Sequence, residues 1–243
     1  MQRGFHEPGE KPKRFYKAVT VAEVEAGFEV LLDGRNPRAP RGSRLALPTR
    51  SLADLVAAEW SVQGEHIEMA GMNATRLAHT AIEAIPAARV ETAAQFAQYG
   101  GSDLLCYFAD SPVALVARQH AAWDLILARA KSDLGLVLTP VMGIVHQPQP
   151  QASLDRIRGL AAGGDDFSLA GLAYGAALLG SAVLTLGLQR GWMGGVEALA
   201  ISRVDELHQE SLWGVDEEAA ARTAAMTLEA AMLGHWFDAL RPA

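Results

Sequence analysis

The chain has 243 residues, half of them hydrophobic, with 28 acidic against 21 basic side chains, a net charge of −7 and a single cysteine. A chain of this length can bury enough apolar surface to fold without disulfides or a structural metal, and the solitary Cys106 excludes an intrachain disulfide framework and any multi-cysteine zinc site. The acidic balance argues against nucleic acid as the main partner, because neutralising phosphates requires a basic face.

Charge and alanine divide the chain in the same place. Residues 1–50 carry ten Lys/Arg, six Asp/Glu and five alanines, whereas residues 51–243 carry eleven, twenty-two and thirty-nine. A basic, alanine-poor beginning and an acidic, alanine-rich body predict an α+β protein: a small β-rich N-terminal domain over 14–72 and a larger α-helical domain over 73–243. Residues 1–13 have no apolar run and read as a mobile tail, neither a signal peptide nor a transit peptide. Phe15 to Val21 and Phe28 to Leu32 are short runs with aromatic and β-branched residues, and Asp33-Gly34 is a hairpin-type turn dipeptide.

From Ser51 the hydrophobic period becomes helical. Ser51-x-x-Asp54 resembles a capping box ahead of Leu52, Leu55, Val56 and Trp60, which predicts a helix near 51–63. Further helices are expected at 74–85, ended by Pro86, and at 87–99, ended by Gly100-Gly101. Ser111-Pro112 reads as an N-cap and first-turn pair for a helix running to Lys131. Residues 134–150 read as an extended connection, and 153–162, 168–190, 194–212 and 216–240 as helices. Phe167 to Gln189 contains no charged residue, a length that could span a bilayer. Its glycines and alanines make it small rather than greasy and its flanks are not basic, so a buried central helix is the better reading and no membrane span is expected.

The sequence offers little catalytic chemistry. No Gly-x-Ser-x-Gly, phosphate-cradling loop or dinucleotide fingerprint is present, and Cys106, set in an apolar run, reads as a small buried hydrophobe. His66 and His208, beside acids, read as solvated surface histidines, and His79 as structural. An enzyme using Cys106 or His79 in a pocket between the two domains is the alternative reading; the leading one assigns no catalytic residue, no metal and no cofactor. The remaining feature is the stretch from Arg203 to Gly214, which holds Asp205, Glu206, Gln209 and Trp213 within two helical turns. Glu206, Gln209 and Trp213 share a face. Pattern alone favours a solvated acidic face with Trp213 tucked into the core before a Gly214 stop. The sharper reading is a recognition surface for a basic, partly apolar partner.

Several segments resemble the family of F-type ATP synthase assembly chaperones that bind the free alpha subunit of the soluble catalytic sector. They include Arg14-Phe15-Tyr16-Lys17-Ala18-Val19, Val30-Leu31-Leu32-Asp33-Gly34-Arg35, Leu47-Pro48-Thr49-Arg50-Ser51-Leu52-Ala53 and Ala58-Glu59-Trp60. Met72-Asn73-Ala74-Thr75-Arg76-Leu77-Ala78-His79-Thr80-Ala81-Ile82-Glu83, Ser102 to Tyr107, Val204 to Gly214 and Arg222-Thr223-Ala224-Ala225 follow in family order. The resemblance implies a β-rich N-terminal domain joined to a helical one and a non-enzymatic task. That task is to hold the unassembled alpha subunit until it pairs with the beta subunit, so that exposed interface does not self-associate. It also implies that an acid in the C-terminal helical motif matters; Asp205 and Glu206 occupy the matching positions, with Glu206 favoured. His208 stands where an aromatic or another acid is expected. The chain resembles a bacterial member, expected to act as a monomer in the cytoplasm.

Overall fold

The computed structural model describes residues 11–241. Strands β1 (Val19–Val24) and β2 (Gly27–Leu32) form an antiparallel hairpin in register from Val19↔Leu32 to Val24↔Gly27, and β3 (Ala46–Leu47) pairs with the other side of β2. Val30, Leu32 and Leu47 are buried, and both strands of the hairpin pack against α1 (Arg50–Ser61). The sheet therefore begins at Val19 rather than at Phe15, because the backbone N–H groups of Lys17 and Ala18 donate to the Asp33 carboxylate (2.8–3.1 Å) instead of to a neighbouring strand. These bonds hold the Asp33 carboxyl below its usual range. The Asp33-Gly34 turn is present as expected, closed by reciprocal hydrogen bonds between Leu32 and Arg35.

Of the mobile tail expected over 1–13, the first ten residues lie outside the described region. Residues 11–13 differ from that expectation: Lys13 bridges to His66, and Ile67 N–H donates to the Pro12 carbonyl at 2.9 Å.

Helix α1 buries Leu52, Ala53, Val56 and Trp60. Its cap is Thr49, whose Oγ1 accepts from Leu52 N–H at 3.1 Å, so the Ser51-x-x-Asp54 box is not the cap. The same hydroxyl donates to the Ala239 carbonyl at 2.7 Å, tying the start of α1 to the end of the chain. In turn α1 caps α2 (Asn73–Glu83), because Glu59 accepts from Ala74 N–H and Thr75 N–H, both at 2.8 Å. One continuous core runs from the sheet through these helices, across the expected 72/73 boundary, to the last helix.

Pro86 does not end a helix but sits in the first turn of α3 (Ile85–Gly101), where its missing N–H costs no bond. Strand β4 (Tyr107–Phe108) follows, then α4 (Val113–Leu134). Ser111 does not cap α4: Pro112 occupies the N-cap position, and the Ser111 hydroxyl donates to Asp110 at 3.3 Å. The connection over 134–150 is extended, as expected, and contributes β5 (Val141–Met142), which pairs in parallel with β4.

After α5 (Gln151–Ala162), the uncharged run forms two helices instead of one, α6 (Asp166–Leu179) and α7 (Ala182–Gln189). Gly180, at φ +64°, ends the first in the left-handed region, and the Ser181 side chain caps the second. The break is buttressed by Asp103, fully buried, which accepts from the Ser181 hydroxyl (2.7 Å) and Val183 N–H (3.0 Å). Burial raises the Asp103 carboxyl to about 6 despite these bonds. Among the described residues no helix is long and apolar enough to cross a membrane.

The expected 194–212 helix also divides, at Arg203, into α8 (Gly195–Ser202) and α9 (Val204–Trp213), and α10 (Glu217–Leu240) closes the fold. Helix α10 packs on α1, α2, α6, α7 and α8, whereas α9 packs on α4 and α8.

Candidate partner-binding surface

Arg203 sets the direction of α9. Its guanidinium is largely buried, donating to Thr223 Oγ1 on α10 (2.6 Å) and to Glu210 on α9 (2.9 Å), so one cation fixes the corner between the two helices. A partly desolvated, doubly hydrogen-bonded guanidinium is held more firmly than a surface ion pair.

The four sequence-predicted residues fall on two faces. Glu206, Gln209 and Trp213 are all exposed, and Trp213 is 78% exposed. This corrects the expectation that Trp213 is tucked into the core: α9 presents its other side to α4 and α8. The residue that α9 buries is His208, read from sequence as a solvated histidine, and neither ring nitrogen has a hydrogen-bond partner. Asp205 is separate, half-buried, with its carboxylate accepting from Gln119 Nε2 on α4 at 2.7 Å. Gln119 is itself fully buried, and its Oε1 accepts from Ala109 N–H at 2.8 Å, which fixes the amide orientation and turns its NH₂ toward Asp205.

More apolar surface lies nearby in the chain. Leu212 in α9, Val215 after it and Leu228 on the first half of α10 are exposed large apolar side chains, with Asp216, Glu217 and Glu218 between the last two in sequence. Sequence reasoning singled out the acids and Trp213 but missed these apolar side chains. No local signal marked Leu212, Val215 and Leu228 as exposed, because apolar side chains in a helical sequence read as core.

The alternative enzymatic reading loses its nucleophile. Cys106 is fully buried, and burial together with the Asp103 carboxylate pushes its thiol up to about 12, so it is not a thiolate near neutrality. His79 does line a cleft of about 530 Å³ between the sheet-bearing region (Pro40, Met69, Ala70) and α2 and α6, but Cys106 does not. Burial lowers the His79 imidazole, Glu83 partly opposing it, and its Nε2 has no partner.

The fold is thus that of an α+β protein with a small N-terminal sheet, a larger helical body, and an acidic, aromatic surface on its last two helices. The family model of the ATP12 chaperone protein matches residues 13–131. Atp12 from Paracoccus denitrificans is 36% identical with a TM-score of 0.87, the match covering 95% of this chain and 99% of that one. A putative chaperone from Agrobacterium tumefaciens is 38% identical with a TM-score of 0.89, over 95% of this chain and 87% of that one. The mitochondrial protein atp12 of Schizosaccharomyces pombe is 25% identical over 221 residues, 85% of this chain and 75% of its own length. The chain belongs to the ATP12 chaperone family.

Proposed function

We propose that this chain is an ATP synthase assembly chaperone that binds the unassembled alpha subunit and keeps it from aggregating until it pairs with the beta subunit. Family membership supports the assembly role, and the observation that carries the binding surface is Trp213, exposed beside Glu206 and Gln209 on a well-anchored helix. A bare tryptophan loses stability in water and gains it under a partner, and acids around it favour a basic client and slow wrong encounters. Such a contact suits a chaperone that must release its client: polar, of moderate area, and displaceable by the true neighbour.

The test is binding of the purified chain to isolated alpha subunit by calorimetry. Wild type is expected to bind and to suppress light scattering of the alpha subunit, and Glu206→Lys to weaken binding at least tenfold with an unchanged circular dichroism spectrum. Unchanged binding by Glu206→Lys removes Glu206 from the surface, and failure of wild type to bind removes the client. The catalytic alternative is weakened at Cys106, which is fully buried with its thiol pushed up to about 12; His79 lines a cleft without a nucleophile beside it among that cleft's lining residues.

A further inference from the structure

A second cleft, of about 470 Å³, opens beside α9, where it is lined by Asp205 and not by Glu206, Gln209 or Trp213. Its wall is aromatic and apolar, from Tyr107, Phe108, Trp123 and Ile144, and its two charged lining residues are both acids, Asp110 and Asp205. No lysine or arginine lines it.

The cleft is built, not incidental. Buried Gln119 bonds Ala109 N–H through Oε1 and the Asp205 carboxylate through Nε2, so one side chain sets the backbone next to Asp110 and the carboxylate opposite it. The outer lip is equally fixed. Strands β4 and β5 pair, Gly143 N–H donates to the Phe108 carbonyl at 2.7 Å, and the Tyr107 hydroxyl lies 2.9 Å from His146 Nδ1. On this tethered lip stand Met142, Ile144 and Val145, with Ile144 94% exposed. Three apolar side chains held out in water by an ordered turn form a surface that awaits cover.

We infer that this cleft receives an arginine or lysine side chain of the client, with the client's flanking apolar residues lying on Met142, Ile144 and Val145. The inference rests on the chaperone reading above and adds a second contact to it. Charge complementarity selects the occupant: two carboxylates without a countercharge attract a cation, and aromatic walls suit a guanidinium or an aliphatic lysine stem. Asp205 therefore acts inside the cleft rather than on the Glu206 face, and Gln119 is its positioning residue.

The test has two arms. In the first, isolated alpha subunit is titrated with wild type, Asp110→Asn, Asp205→Asn, the double variant and, as a control on α3 away from both surfaces, Glu91→Gln. Each single neutralisation is expected to weaken binding about tenfold, the double variant by less than the product of the two because both acids hold one cation, and the control not at all. In the second, isotope-labelled chain is titrated with acetylated, amidated Ala-Leu-Arg-Leu-Ala and with the same peptide carrying neutral citrulline for arginine. If wild type binds the alpha subunit and Asp110→Asn and Asp205→Asn bind it equally well, the cleft inference is overturned while the chaperone reading stands. If wild type does not bind the alpha subunit, the peptide decides. Arginine-dependent shifts at Tyr107–Asp110, Ile144 and Asp205 that vanish in the double variant keep the basic-side-chain site with a different client, and their absence removes the site as well.

Discussion

The two halves of α10 are one helix in two environments. Residues 230–239 bury Ala230, Met232, Leu233, Trp236, Phe237 and Ala239 against the helical body, while residues 217–229 are largely exposed and present Leu228 and a run of alanines to solvent. In the buried half the neighbours leave no room: Gly195 of α8 lies so close that an added Cβ would sit 1.8 Å from the Ala230 carbonyl oxygen. The exposed half is held by polar side-chain tethers, Arg203 to Thr223 and the Tyr174 hydroxyl of α6 to Glu229, both at 2.6 Å. The difference separates side chains kept for stability from those kept for contact, and it can be broken from either side.

The largest effect is expected at the close approach. Gly195→Val should cost more than about 4 kcal/mol or prevent folding, since backbone must move to admit the side chain, and urea denaturation will measure it. Next is Asp103, which holds the α6–α7 break. Its folded carboxyl, at about 6, lies above the unfolded value, so the folded state binds the extra proton. Stability from this group is therefore fully present below about pH 4, falls as pH rises through about 6 and is flat above. Relative to Asp103→Asn, which does not titrate, wild type should lose on the order of 3 kcal/mol between those limits, read from denaturation midpoints across the pH series. Trp213→Ala should leave stability within about 0.5 kcal/mol of wild type yet weaken client binding by about 2 kcal/mol, the signature of an exposed contact residue. Smallest is Arg222→Ala, which removes the exposed i, i+4 pair with Glu218 and should change the melting midpoint by less than its error.

The same contrast explains what the sequence could tell. The turn at Asp33-Gly34 after β2, the α1 periodicity and the change from strand to helix after residue 50 depend on neighbours in the chain and were legible. The breaks at Gly180 and Arg203 were not, because what stabilises them comes from afar: Asp103 is 78 residues from Ser181, and Thr223 is 20 from Arg203. Cap identity failed at Thr49 and at Pro112 for a related reason. Ser51, two positions after Thr49, offers the same hydroxyl, and the structure uses the one that also reaches Ala239; at α4 the Ser111 hydroxyl turns to Asp110 and Pro112, with no side-chain acceptor, takes the N-cap position. At the candidate surface the spacing of Glu206, Gln209 and Trp213 correctly placed them on one face. Which way that face pointed depended on α9 packing against α4, some 80 residues earlier, and no local pattern encodes it. The Gln119–Asp205 bond, across 86 residues, had no sequence signal at all.

The most direct test of the central claim is the affinity of the purified chain for isolated ATP synthase alpha subunit, measured by calorimetry for wild type and Trp213→Ala side by side. The account predicts that wild type binds and that Trp213→Ala binds at least tenfold more weakly at equal stability. Equal affinity of the two proteins, or no binding by wild type, contradicts it.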